Sequence, residues 1–154
     1  MHVEVLLILH LFSVSAMLGA TVVNGLLHAR ARRSPPSEAA PLVGGIMAVN
    51  RWVMGPSLVL IPASGVWLAF AFGFGLTPSW IHWGIGLSSA LILAFVVGVW
   101  PEHRLEVLAN DAAKAGREAL PPAYRATFLR AAPIGFGALV LSIAAITVMV
   151  VKPT

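Results

Sequence analysis

The sequence contains no cysteine, and only 10% of its 154 residues are charged. Without cysteine the chain has no disulfide, no thiolate metal site, no iron–sulfur cluster and no cysteine nucleophile. A soluble domain has about a quarter of its residues charged, so this composition excludes an ordinary water-exposed surface. Hydrophobic residues make up 58% of the chain and form long runs without a charge. We therefore predict a single all-α integral membrane domain covering residues 1–154.

Carboxylates and catalytic motifs are also scarce. Glu4, at the very edge of the first apolar run, is the only Asp or Glu in any of the runs. A carboxylate relay for protons or cations within the membrane is therefore not expected. The sequence has no Ser-His-Asp set, phosphate-binding loop or metalloprotease motif, which argues against a hydrolase or a nucleotide-driven pump. We assign no enzymatic activity from the sequence.

Four apolar runs predict membrane-spanning helices. At about 1.5 Å per residue, each run covers a hydrocarbon layer ~30 Å thick. A short turn rich in Gly and Pro separates the second and third runs, so their helices should be antiparallel neighbours. The expected architecture is a four-helix bundle in up-down-up-down order. The predicted spans are about 4–28, 48–72, 80–100 and 131–151.

Lys and Arg are concentrated in two segments that connect the spans, residues 29–47 and 101–130. By the positive-inside rule both segments are cytoplasmic, and both termini lie outside a bacterial inner membrane. A cleaved signal peptide is the alternative interpretation of the first run, but the segment from Met1 to Glu4 has no positive charge. The basic residues of the connecting segments are Arg30, Arg32, Arg33, Arg104, Lys114, Arg117, Arg125 and Arg130.

The connecting segment 101–130 is too long for a simple turn. Pro101 is expected to end the third span, and apolar residues recur at helical spacing after it. The pattern predicts a short helix on the inner membrane surface between the third and fourth spans. A solvated loop is the alternative. The apolar positions are Leu105, Leu108, Ala112 and Ala115.

Histidines are the main candidates for function, because an ionisable side chain inside a membrane is costly without a purpose. His10 lies well inside the first span and most needs a partner. Along the first helix, residues spaced by three or four place polar groups on one face, with a histidine at each end. This face consists of His10, Val14, Met17, Thr21, Asn24 and His28.

The third span repeats this spacing, so two histidine pairs between helices are geometrically conceivable. His10 and His82 belong to the outer half of the bundle, whereas His28 and His103 belong to the inner boundary. Neutral imidazole ligates haem iron and copper, and bundle cores hold such cofactors between facing helices. We predict a haem b or copper site at His10 and His82. The face on the third span is His82, Gly86, Ser89, Leu93, Val96, Trp100 and His103.

Simpler interpretations remain open for the other histidines. His82 lies between Trp80 and Trp83, a position that also suits an interfacial anchor. His28 and His103 are expected to be solvated residues at the membrane boundary, with a second site as the alternative.

Arg51 lies at the cytoplasmic edge of the second span and has two interpretations. In the first, its guanidinium extends to the lipid head groups. In the second, Arg51 contributes to cofactor binding through a haem propionate or binds an anionic head group, with Asn50 beside it. The sequence leaves both open.

Short motifs along the chain resemble an uncharacterised family of small bacterial integral membrane proteins, a domain of unknown function. That family is broadly similar to the copper-resistance CopD type and the HemJ type of protoporphyrinogen oxidase. The resemblance implies a four-helix fold and a haem or copper site, with His10 matching a span-one histidine that the HemJ type uses with a span-three Lys. This chain has no Lys in its third span. The motifs are His10 with Gly19, Pro62 to Ala69, Leu120 to Arg125, and Val150 to Pro153.

Three functional hypotheses follow. The first is a membrane protein that binds b-type haem or copper and acts in membrane electron transfer. The second is a cofactor-free accessory subunit that packs through small-residue seams against a larger, respiratory-type membrane complex or a second copy. The third is a transporter or enzyme for a lipid-soluble molecule, with Arg51, Asn24 and the polar face lining a cavity. The lipid bilayer is the expected partner. Nucleic acid is not expected, because the positive-inside rule already explains where the basic residues lie.

Overall fold

The computed structural model describes residues 3–153, which form α-helices and one short π-helical segment joined by short turns. No strand occurs within this range. Four helical stretches are long and apolar enough to cross a membrane, which confirms the all-α class and the four apolar helices. The order and sidedness of membrane crossing stay predictions. The elements are α1 (Val3–Ala31), α2 (Pro36–Val49), the π segment (Asn50–Met54), α3 (Gly55–Ala71), α4 (Ser79–Lys114) and α5 (Pro122–Val151).

The helices extend well into the segments predicted to connect the spans. Helix α2 starts at Pro36, whose fixed φ suits a first helical position, and it continues through the π segment into α3. The turn between α1 and α2 is therefore only 32–35, within the expected loop 29–47. Likewise only 115–121 separate α4 from α5.

The expectation that Pro101 ends the helix of the third span is wrong, whereas the membrane bounds of that span stay a prediction. Helix α4 continues through Pro101 to Lys114, with Pro101 buried. A proline inside a helix removes one backbone hydrogen bond, and here packing against neighbouring helices offsets that loss. The stretch predicted as a separate surface helix is helical, but it is the second part of one continuous α4. A distinct interfacial helix is therefore not confirmed.

One end of the bundle has a densely packed core. It joins the end of α1, helix α2, the second part of α4 and the start of α5, and we call it the basic end because the Arg-rich segments lie there. Burying a Leu or Val side chain contributes about 1.5–3 kcal/mol, so this end is held by ordinary hydrophobic packing. Its buried residues are Ala31, Ala39, Ala40, Val43, Leu105, Ala109 and Tyr124.

The opposite end is held by the turn between α3 and α4. Gly73 and Gly75 have φ values of +76° and +60° in this turn, a left-handed conformation that glycine adopts without strain. The Lys152 ammonium lies 5.6 Å and 5.4 Å from the ring centres of Phe74 and Trp80, which fixes the end of α5 against the turn.

The middle of the bundle is packed more loosely. Helix α1 packs mainly against α3, and α4 packs mainly against α5, with fewer contacts between these two pairs. The buried core here is small and consists of Met17, Leu58 and Leu91. Because the two helix pairs separate on either side of this core, space is left between them.

Candidate functional site

Two cavities occupy the space between the helix pairs. The large cavity, of about 460 Å³, lies towards the basic end. The small cavity, of about 350 Å³, lies towards the opposite end. Met17, Leu91 and Ser142 line both, so the two cavities are neighbours separated by a thin layer of side chains.

The polar face predicted on the first helix lines these cavities. Thr21, Asn24 and His28 line the large cavity, and His10 and Val14 line the small one. The helical spacing that grouped these residues in the sequence therefore identified the inward side of α1.

The face predicted on the third span does not line the cavities. In α4 the lining residues are offset from it, so the predicted face, including Leu93 and Trp100, is largely exposed. An error of one residue rotates the inferred face by about 100°. The inward side instead carries small residues, which permit close packing, together with two larger apolar residues and one carboxylate. These lining residues include Gly84, Ser88, Leu91, Phe95, Gly98 and Glu102.

His10 and His82 are not brought together around one cavity. His82 is exposed and lines neither cavity, which matches the alternative of an interfacial anchor. The His10 ring lies against α3, where a Cβ on Gly65 would approach its Cε1 to 3.2 Å. No group of three or more His, Asp or Glu side chains placed to hold a metal occurs within residues 3–153.

A hydrogen bond to α3 fixes the orientation of the His10 ring. The His10 Nδ1 atom lies 2.9 Å from the Ser64 hydroxyl oxygen. Ser64 donates its own proton to the Leu60 carbonyl, so His10 donates from Nδ1 and keeps a lone pair on Nε2.

Arg51 lies outside both cavities. It is exposed, and its guanidinium is 5.3 Å from the ring centre of Trp52. This position matches the interpretation in which Arg51 extends towards lipid head groups, and it does not bring the guanidinium to His10.

Four polar side chains meet at the basic end of the large cavity, and we call them the polar cluster: Asn24, His28, Asn50 and Glu102. Asn24 donates from Nδ2 to the Asn50 Oδ1 atom at 2.7 Å. His28 Nε2 lies 3.0 Å from both Glu102 carboxylate oxygens. The side chains of His28 and Glu102 are only 12% and 20% exposed, so this is a largely buried pair.

The polar cluster has two unsatisfied atoms. Asn24 is 9% exposed, and its Oδ1 accepts no hydrogen bond from residues 3–153. The Nδ1 atom of His28 is also buried without a partner within that range. Each unsatisfied buried polar atom costs about 1–3 kcal/mol. Both residues line the large cavity.

Half of this cluster is not evident from the sequence. The sequence pattern predicts His28 at the solvated boundary, and it predicts Glu102 in a cytoplasmic loop because Pro101 normally indicates the end of a helix. The spacing of Leu91, Phe95 and Glu102 places them on one side of a continuous helix and was the available signal. Asn50 begins the π segment, a helix irregularity often found at functional sites.

The large cavity opens towards lipid between α1 and α5. Leu26 on α1 and Phe136 on α5 both line it, yet they are 67% and 69% exposed. Because these helices make few contacts with each other, the lining is discontinuous there. The large cavity is therefore open to the outside of the bundle between these two helices.

The fold and the cavities define a class: an integral membrane protein of long helices that enclose apolar space with one polar end. The chain belongs to the family described as "Predicted integral membrane protein (DUF2269)", whose model matches residues 4–153. This confirms the expected membership of an uncharacterised membrane family. No match to a curated protein or to a solved structure was found.

Proposed function

We propose that this protein binds a lipid-soluble molecule with an apolar body and one polar end. The body occupies the large cavity, and the polar end meets the polar cluster. Of the hypotheses from the sequence, this is nearest to the third, with Asn24 and the α1 face as lining but without Arg51.

The observation that carries the proposal is the pair of unsatisfied atoms beside an apolar space. The cavity wall is dominated by side chains such as Met54, Leu58 and Phe95. Pockets for small molecules are mostly apolar, with a few polar groups that fix orientation. Asn24 Oδ1 and His28 Nδ1 are such groups, since neither has a partner within residues 3–153.

Extraction of the purified protein tests the proposal. The full chain is purified in mild detergent, extracted with organic solvent, and its extract analysed by mass spectrometry. We expect one apolar compound in about equimolar amount. A Gly135→Leu variant should lose it, because Gly135 lines the large cavity and a Cβ there meets open space.

Gly137→Leu is the matched control. Gly137 is two positions away on α5, also has room for a Cβ, and lines neither cavity. This variant should keep the compound. Extracts that contain only bulk membrane lipids, in the same amounts for all three proteins, contradict the proposal.

Haem binding through His10, with a role in membrane electron transfer, is the second candidate. One observation favours it: His10 lines the small cavity and its hydrogen bond to Ser64 leaves Nε2 with a lone pair, the form in which imidazole binds a metal. His10 would hold a haem iron through Nε2. Copper needs further ligands, and beside His10 the described lining of the small cavity offers the Met17 and Met149 thioethers.

A reduced-minus-oxidised absorption spectrum of the purified protein tests the second candidate. We expect a Soret band that shifts on reduction and is lost in His10→Ala. His103→Ala is the control, since His103 is exposed and pairs only with Glu106 on its own helix. A parent protein without this band rules out haem at His10.

The accessory-subunit hypothesis stays a prediction, as does the inner-membrane location. We propose that the basic end is cytoplasmic, because eight of the ten Lys and Arg residues lie in the two segments that form it.

A further inference from the structure

We infer that the polar end of the bound molecule is an uncharged hydroxyl group. This inference rests on the proposed function, and it names the chemical class of the ligand: an alcohol or phenol with a long apolar chain. Anionic, cationic and uncharged head groups differ in the charged and polar side chains that they require around them.

An anionic head group has no counter-charge in the large cavity. Within residues 3–153, His28 and Glu102 are the ionisable side chains of its lining, and they already pair with each other. Two arginines of the basic end stack on aromatic rings: Arg32 lies over Phe128, which lines the cavity, and Arg104 lies over Trp100, which does not. Neither arginine is itself part of the lining. A carboxylate or phosphate head would thus be desolvated beside Glu102, and a buried charge without a partner is strongly unfavourable.

A cationic head group would have to share its acceptor of opposite charge with His28. Glu102 is the only carboxylate in the lining of the large cavity among the described residues. Both of its oxygens lie 3.0 Å from His28 Nε2. A cation would therefore share these oxygens with His28, and it would add a second buried charge to the cavity, which is unfavourable.

A hydroxyl matches the two unsatisfied atoms. Asn24 Oδ1 needs a donor, and a hydroxyl donates one proton. Because His28 donates from Nε2 to Glu102, its Nδ1 accepts when the ring is neutral and donates when it is charged. A hydroxyl serves in either case, since it also accepts two hydrogen bonds. Asn24 is nine-tenths buried and lines the cavity, so this pairing is shielded from water.

The head-group preference is measured with three probes that share a sixteen-carbon chain: hexadecan-1-ol, hexadecanoate and hexadecylamine. Binding of each radiolabelled probe to the full chain in nanodiscs is measured at equilibrium. Binding of the same probe to empty nanodiscs is measured as background and subtracted. We expect the alcohol to bind at least about tenfold more tightly than the acid or the amine. This ranking uses the unaltered protein and does not depend on any variant folding.

Two variants and one control test which side chains cause the preference for the alcohol. Asn24→Leu should weaken binding of the alcohol about tenfold, the effect of losing one buried hydrogen bond, whereas Asn110→Leu, the same change away from the cavity, should have no effect. Glu102→Gln removes the carboxylate while keeping its shape. It should reduce the preference for the alcohol over the acid about tenfold.

The possible outcomes distinguish failure of the hydroxyl inference from failure of the proposed function. Tightest binding of the acid or the amine, or equal binding of all three probes, overturns the hydroxyl inference and leaves the cavity as a binding site. Binding of no probe, together with no compound in the solvent extract, overturns the proposed function and the inference with it.

Discussion

The His28–Glu102 pair is the most consequential contact at the residue scale. It ties α1 to α4 at the basic end of the large cavity, with both side chains largely buried. Breaking a buried pair by removing one partner is costly because the other polar group is left without a partner. The pair therefore has a structural role that is separate from any ligand.

We predict that Glu102→Ala lowers the free energy of unfolding by about 1–3 kcal/mol. The change leaves His28 without a partner on either nitrogen. For a chain of this size that corresponds to a drop of several degrees, roughly 3–10 °C, in the thermal unfolding midpoint. Glu118→Ala is the control, because Glu118 is exposed in the turn between α4 and α5. Equal midpoints for the two variants would show that the pair contributes nothing.

The sequence revealed one partner of this pair more readily than the other. His28 was grouped correctly with His10 and Asn24 on the α1 face, because helical spacing alone determines which residues share a face. Its burial could not be inferred, since that depends on how far α4 extends. Glu102 follows Pro101, and a proline at that point normally indicates a helix end. Only the packing around α4 shows that the helix continues.

The π segment is the most informative feature at the element scale. Asn50 and Met54, its first and last residues, both line the large cavity. The Gly55 N–H donates to the Asn50 carbonyl, five residues earlier. This hydrogen bond is the one that defines a π-helical turn, which contains one residue more than an α-helical turn. The segment thus holds Asn50 in place to accept the hydrogen bond from Asn24.

Gly55→Ala and Gly44→Ala should change stability in opposite directions. A Cβ on Gly55 would lie 3.2 Å from the Asn50 carbonyl oxygen and 3.9 Å from Phe95 Cζ, so the π segment must shift. We expect a loss of about 1 kcal/mol. Gly44 lies within α2 with nothing within 4 Å of a Cβ, and Ala there should stabilise the helix by about 0.5–1 kcal/mol. Thermal unfolding of both variants checks this, and a stabilised Gly55→Ala would contradict the role given to the π segment.

The side of the helix that faces the inside of the bundle could be predicted from the sequence for α1 but not for α4. In α1 the polar residues lie on the inward side, so polarity and burial agree. In α4 the polar residues His82, Ser89 and His103 lie on the outward side, while Gly84 and Gly98 face inward. Near the ends of a membrane helix, the outward side need not be more apolar than the inward side. Small residues, not apolar ones, indicate which side packs against other helices.

At the scale of the whole molecule, the distribution of Lys and Arg predicts which end is cytoplasmic. Because the chain has no cysteine, single cysteines can be introduced without background. Thr77→Cys, in the exposed turn between α3 and α4, should react with a membrane-impermeant maleimide added to intact cells. Glu118→Cys, in the exposed turn between α4 and α5, should react only after the membrane is opened. The reverse pattern would invert the orientation.

The basic end and the middle of the molecule differ in packing. The basic end is closed by a hydrophobic core of alanines with Val43, Leu105 and Tyr124, which fixes the helices where the polar cluster forms. The middle is loosely packed, and the large cavity is open to the outside of the bundle between α1 and α5. A rigid end beside an accessible apolar space is the arrangement that a binding protein for membrane-soluble molecules requires.

Native mass spectrometry of the intact protein, released gently from detergent, decides whether the large cavity holds a ligand, on which the proposed function depends. We expect a population with one bound apolar molecule in the parent protein and in Gly137→Leu, and only the bare protein mass in Gly135→Leu. A parent protein that shows only the bare mass, under conditions that retain weakly bound lipids on a control membrane protein, would contradict it.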